Sequence, residues 1–160
     1  MSLPPRIKVL EAAGCIADGR LRILEKNSSI TAEVVSSTGE RKYLVVVELE
    51  KKKAYSSDNG TKHRGYVGYP IIALLMKLGL LPFDEEVASS LKGIPWKVLN
   101  EKYKRYWIVE KEVKKVARSK GLDASRLDLF IKEVLGELKE IGLSYDESLL
   151  RPDLKGFLEG

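Results

Sequence analysis

Hydrophobic and polar positions alternate most clearly over residues 42–50. There Tyr43, Val45, Val47 and Leu49 interleave with Leu44, Val46 and Glu48. A period of two rich in β-branched residues predicts a strand. Both sets are partly apolar, so this strand is expected to be central, with something covering each face. Residues 29–36 predict its hairpin partner, and Ser37, Thr38, Gly39 and Glu40 the turn between them. Residues 20–24 make a short candidate strand after the Asp18-Gly19 turn. Elsewhere the period is helical. Pro4-Pro5 can open a helix to about Ala13, stopped by Gly14. Residues 70–80 (PIIALLMKLGL) are apolar nearly all round, as a buried helix is, and Pro70 suits a first turn. Residues 84–91 predict a short helix with Glu85 and Glu86 near its positive end. Residues 96–120 predict one long amphipathic helix. Its core face would carry Trp96, Leu99, Tyr103, Tyr106, Trp107, Val113, Val116 and Ala117. Ser125 is expected to cap a last helix to about Ile141, with Leu127, Phe130, Ile131, Val134, Leu135, Leu138 and Ile141 inward.

The pattern predicts an α+β protein: a small antiparallel β-hairpin sheet packed on a buried helix, followed by a helical C-terminal half. The expected units are residues 1–83 and 84–143, with a polar tail over 144–160. At 160 residues the chain can bury a sizeable core. No apolar run approaches the ~20 residues of a membrane span, so no membrane partner is expected. The first ten residues lack the apolar block of a signal peptide, and a cytoplasmic location is expected. Cys15 stands alone, which excludes an internal disulfide and a cysteine-based zinc site. There is no Gln, few Asn and an excess of Lys and Glu, a profile like that of hyperthermophile proteins.

Charge changes the picture. The net charge is +5, yet residues 96–120 alone hold nine Lys or Arg against three Glu, a local +6. A basic stripe of this kind favours polyanions; the competing reading is an ordinary solvated helix face. Lys97, Lys104, Arg105, Lys111, Lys115 and Arg118 are its candidate phosphate contacts. Lys62, His63 and Arg64 form a second basic cluster, where Tyr66 and Tyr69 could stack on bases or simply pack the loop. Residues 113–135 have helix-turn-helix spacing, with Ala117 four residues before Gly121; Ser125, Arg126, Asp128 and Leu129 would then lie near a DNA groove. Lys120 departs from that motif, and Asp128 is unfavourable against phosphate.

Residues 34–81 carry a further resemblance. AYSSD and RGYVGYPIIALLMKLG, placed after a hairpin, resemble the SWIM zinc-finger family, whose pattern is Cys-x-Cys, a loop, then Cys-x-His opening a helix. The resemblance spans about residues 5–82 and rests on order, spacing and Asp58, Gly65, Ile71 and Ile72. Its four ligand positions fall on Ala54, Ser56, Gly68 and Pro70, none of which holds zinc. The resemblance therefore implies a binding module without metal or other cofactor, and it implies recombination partners, since some members of the family act with recombinase paralogues. The C-terminal RPDLKGFLEG resembles sliding-clamp-binding peptides, with Leu154, Phe157 and Leu158 at the apolar positions and Arg151 in place of the usual Gln. The competing reading is a tail folded on its own core.

These features predict a non-enzymatic accessory or adaptor protein of DNA recombination, repair or replication. It would bind DNA weakly through its basic helix and dock on a recombinase paralogue or sliding clamp. The alternatives are a helix-turn-helix regulator and a pure protein–protein adaptor. No catalytic residue is expected: Glu48, Glu50 and Asp58 could hold a hard cation, but acids beside Lys51, Lys52 and Lys53 read as a solvated strand end.

Overall fold

The computed structural model describes residues 1–156. Five strands form one sheet in the order β1 (Leu21–Lys26), β2 (Ile30–Val35), β3 (Lys42–Glu48), β4 (Lys53–Ser56) and β5 (Ser144–Tyr145). The first four pair antiparallel and β5 joins β4 in parallel. The helices are α1 (Ile7–Ala17), α2 (Asn59–Lys62), α3 (Tyr69–Lys77), α4 (Glu85–Ser90), α5 (Trp96–Tyr103), α6 (Tyr106–Ser119) and α7 (Ala124–Ile141). The fold is α+β, with helices filling the C-terminal half, as the residue pattern predicts.

β3 is central because its two residue sets are both apolar. Val45 and Val47 join the main core with α1 and α3. Leu44 and Val46 point the other way and form a second cluster with Tyr55 and Leu154, flanked by Leu149 and Leu150. The period of two thus gives each face its own cover. The second cover is the tail: residues 147–149 and 152–154 are 3₁₀ turns, and Leu154 is only 3% exposed. The segment expected to be a polar tail supplies a strand and a lid.

α1 is the central beam. Val9, Leu10, Ala12, Ala13 and Cys15 are all fully buried. It does not stop at Gly14. The helix runs on to Ala17, and Gly19 (φ 68°) ends it, with the Arg20 N–H donating to Cys15 O at 3.0 Å. Gly14 answers a different need. The Trp96 indole lies against it, and a Cβ there would sit 2.9 Å from Trp96 Nε1. Val87, Trp96, Val109 and Leu127 share one continuous core with α1 and α3, so packing does not divide at residue 83.

The expected single helix over 96–120 is two. Lys104 adopts a left-handed conformation (φ 56°, ψ 5°) and Arg105 is extended, so α6 starts afresh at Tyr106. The apolar spacing explains the break. From Trp96 the inward residues step by three, four, three and three to Val109, then by four to Val113 and Ala117. On one straight helix Val109 would lie roughly 140° round from Trp96, whereas within α6 Val109, Val113 and Ala117 span only about 80°. Val109, Val113 and Ala117 are buried, whereas Trp107 is 65% exposed and Val116 is exposed too, against the expectation that both face the core. At the next junction Asp123, not Ser125, caps α7: its Oδ1 accepts from Ser125 N–H at 3.2 Å.

A left-handed lysine carries a backbone penalty of about 1 kcal/mol that glycine avoids. Lys104→Gly is therefore expected to raise stability by a few tenths to about 1 kcal/mol in chemical denaturation. Were α5 and α6 one helix, the same change would lower stability by about 1 kcal/mol.

Candidate nucleic-acid interface

The segment between β4 and α3 is closed by hydrogen bonds. Asp58 caps α2, with Oδ2 accepting from the Thr61 N–H at 3.1 Å and Oδ1 from the Ser56 hydroxyl at 2.5 Å. Thr61 Oγ1 in turn accepts the Gly68 N–H at 2.9 Å. All four residues are buried. A Cβ on Gly68 would fall within the Asp58 carboxylate, so this position requires glycine. Ser56 and Gly68, two of the four positions where a SWIM finger carries ligands, are the ends of this bonded chain. Ala54 and Pro70, the other two, are buried in β4 and the first turn of α3. Among the described residues no three His, Cys, Asp or Glu side chains come together as a metal site. His63 is exposed on the loop.

Beyond the knot lies a cavity of about 150 Å³ walled by Tyr43, Tyr66, Tyr69 and Tyr106, with Lys8 and Arg64. It gathers residues far apart in sequence. The Tyr66 ring lies on Gly60, which has no side chain to displace it. Tyr43 and Tyr69 meet edge to face, 6.3 Å between centroids. Lys8 Nζ stands 5.1 Å over the Tyr106 ring and Arg20 lies 5.9 Å from that of Tyr69. Lys8 is also paired with buried Glu11 at 3.1 Å, and Asn100 Nδ2 donates to the same carboxylate at 2.8 Å. Burial holds the Tyr69 phenol protonated well above the usual tyrosine range. For Tyr66 burial does the same, reinforced by the neighbouring Tyr106 hydroxyl. These phenols are donors at neutral pH.

α6 adds a second surface that starts at the cavity wall. At 3.6 residues per turn, Trp107, Lys111 and Arg118 fall within roughly 40° of one another on the side away from Val113, and Lys115 lies about 40° further on. Among the described residues Lys111 and Arg118 make no ion pair; Lys115 pairs with Glu112 at 3.3 Å. Lys114, on the edge of this face, is tied to Glu110 at 3.0 Å and Asp128 at 2.6 Å.

The structure brings some of the expected site residues together and parts others. Arg64 and Tyr66 share the cavity with Tyr106, whose chain neighbours Lys104 and Arg105 are exposed. Lys62 is exposed at the end of α2. Lys97 is engaged with Glu40 at 3.1 Å. Arg126 turns away from α6 to Asp84 at 3.0 Å and Glu86 at 2.7 Å. Leu154 is buried under the sheet, while Phe157 and Leu158 lie outside the described residues. Lys8, Tyr43 and Tyr106 escape a reading of the chain, because only folding places them beside the 59–69 segment. Exposed Trp107 was within reach of one, through the inward steps of α6.

The chain belongs to the family described as "Uncharacterised conserved protein UCP014422", whose model matches residues 1–144. No curated protein and no solved structure matches it. The matched stretch includes the cavity and the whole of α6.

The buried phenols have a consequence at high pH. Burial pushes Tyr55 up to about 12, and Tyr66 and Tyr69 are raised as well. A phenol raised in the fold contributes stability that is complete below about pH 10, its unfolded value, and is lost as pH climbs through the folded value. Phenolate absorbance followed with circular dichroism should show these three silent until the fold opens in strong alkali. All seven tyrosines ionising together near pH 10 in an intact fold would contradict the placement.

Proposed function

We propose that this member of an uncharacterised family is a non-enzymatic accessory protein that binds single-stranded nucleic acid through the outer face of α6. One observation carries the reading: a tryptophan 65% exposed among cations on one helix face. An indole this exposed contributes little to packing, and it offers a platform on which any base can stack. Lys111, Lys115 and Arg118 follow it along the helix, roughly 6, 12 and 16 Å further on, as positive charge that tracks a phosphate backbone. Lys104 and Arg105 extend this charge to the start of the helix, and Lys62 and Arg64 to the adjoining loop.

The helix-turn-helix reading has weaker support. The first turn of α7 would meet a groove with Arg126 bound to two carboxylates and with Asp128. The resemblance to SWIM fingers supports a setting in recombination or repair, beside a recombinase paralogue, and the absence of a signal-like apolar block in the first ten residues supports the cytoplasm as its place. Docking on a sliding clamp through the C-terminal peptide would require Leu154 to leave the sheet.

Fluorescence anisotropy with a single-stranded oligonucleotide across a salt series tests the reading. Trp107→Ala should weaken binding by roughly five- to a hundredfold, the value of one stacked base. Lys111→Ala and Arg118→Ala should each flatten the slope of log affinity against log salt by about one. No binding at micromolar protein in low salt would sink the reading.

A further inference from the structure

We propose that the tyrosine-walled cavity at the start of α6 receives the terminal phosphate monoester of a strand lying on the Trp107 face, an inference that rests on the single-strand reading. The shape comes first. The walls come from α1 (Lys8), β3 (Tyr43), the 58–69 segment and α6 (Tyr106). A cavity of about 150 Å³ enclosed by separate elements is a pit, and a pit takes the end of a chain rather than its middle.

The chemistry of the walls selects an acceptor-rich anion. Four phenols, an ammonium, a guanidinium and the Asn59 amide line the space, and donors outnumber acceptors among them. The one carboxylate in the wall, Asp58, has both oxygens engaged, by the Ser56 hydroxyl and the Thr61 N–H. Glu11, behind Lys8, accepts from both Lys8 and Asn100 through Oε1. Lys8 and Arg64 in the walls offset the charge of these two carboxylates. Arg64 makes no ion pair among the described residues, and Arg105 directly precedes the wall residue Tyr106. A phosphate monoester carries more charge and more acceptor oxygens than an internal diester, so it gains most from such a donor set.

Continuity supplies the strand. Trp107 comes directly after Tyr106 and points outward about 100° around the helix. A terminal phosphate in the pit leaves its own nucleotide at the edge of the indole. Lys111, Lys115 and Arg118 then continue along the direction the backbone would take.

The test compares strands of one sequence that carry a 5′ phosphate, a 3′ phosphate or hydroxyls at both ends, by anisotropy with an internal dye. One phosphorylated end should bind about tenfold tighter than the hydroxyl-ended strand, the effect of an added charge-assisted hydrogen bond or two. Arg64→Ala and Tyr66→Phe should bring that ratio close to one. If all three strands bind equally, the end-recognition proposal is overturned and the single-strand reading stands. If no strand binds, the single-strand reading fails, and calorimetry with a nucleoside 5′-monophosphate decides the cavity alone. Binding at millimolar concentration or below, abolished by Arg64→Ala, would assign the pit to a free phosphate monoester. Absence of binding would remove the site.

Discussion

The packing of the Trp96 indole on Gly14 sets the course of the helical half of this molecule. α1 is buried almost all round, and the absent side chain at residue 14 lets a large ring approach the helix directly. That contact docks the start of α5 on the central beam. With Trp96 committed to this docking, a straight continuation would place Val109 roughly 140° round from it. The chain resolves the conflict at Lys104 and Arg105, in one left-handed and one extended residue. The penalty for a left-handed lysine is about 1 kcal/mol, whereas burying three apolar side chains contributes several. Trp107 faces water as a result: once Val109, Val113 and Ala117 are inward, residue 107 lies on the outer side.

The loop beside this helix illustrates how polar groups can replace a covalent or metal closure. Asp58 and Thr61 link Ser56 to Gly68 through buried hydrogen bonds, each worth about 1 kcal/mol net but costly to leave half made. Removal of any partner would leave a buried acceptor or N–H without a mate. The knot fixes the course of residues 59–69, and so fixes Tyr66 against Gly60 and beside Tyr106. Loop and helix thereby make one continuous surface, with donors gathered at one end and an indole among cations beyond them.

The elements legible in the sequence are those whose pattern is local. The double-sided apolarity of Tyr43 to Leu49 reports a central strand, and the all-round apolarity of Ile71 to Met76 reports a buried helix. Asp84 ahead of Glu85 and Glu86 reports a helix start, and its side chain does cap Glu86 and Val87. Harder to read are features decided by a distant partner. β4 is four residues long and owes its pairing to Val45, Val46 and Val47. β5 exists because β4 offers an open edge. Gly14 reads as a helix stop until Trp96 is beside it. The cavity draws on positions 8, 43, 58–69 and 106, and no window of sequence spans them. Charge counting located the basic segment, but only the fold separates its paired members, such as Lys97 and Lys114, from Lys111 and Arg118, which make no ion pair among the described residues.

The proposed nucleic-acid binding turns on the outward Trp107, and the protein carries its own control for it. The chain has two tryptophans, and Trp96 is 3% exposed behind Gly14. Their two indole N–H resonances can be followed by NMR as a single-stranded oligonucleotide is added. Stacking on α6 predicts that the Trp107 resonance shifts or broadens in proportion to bound strand while that of Trp96 stays in place. A Trp107 signal that does not move at saturating oligonucleotide would contradict it.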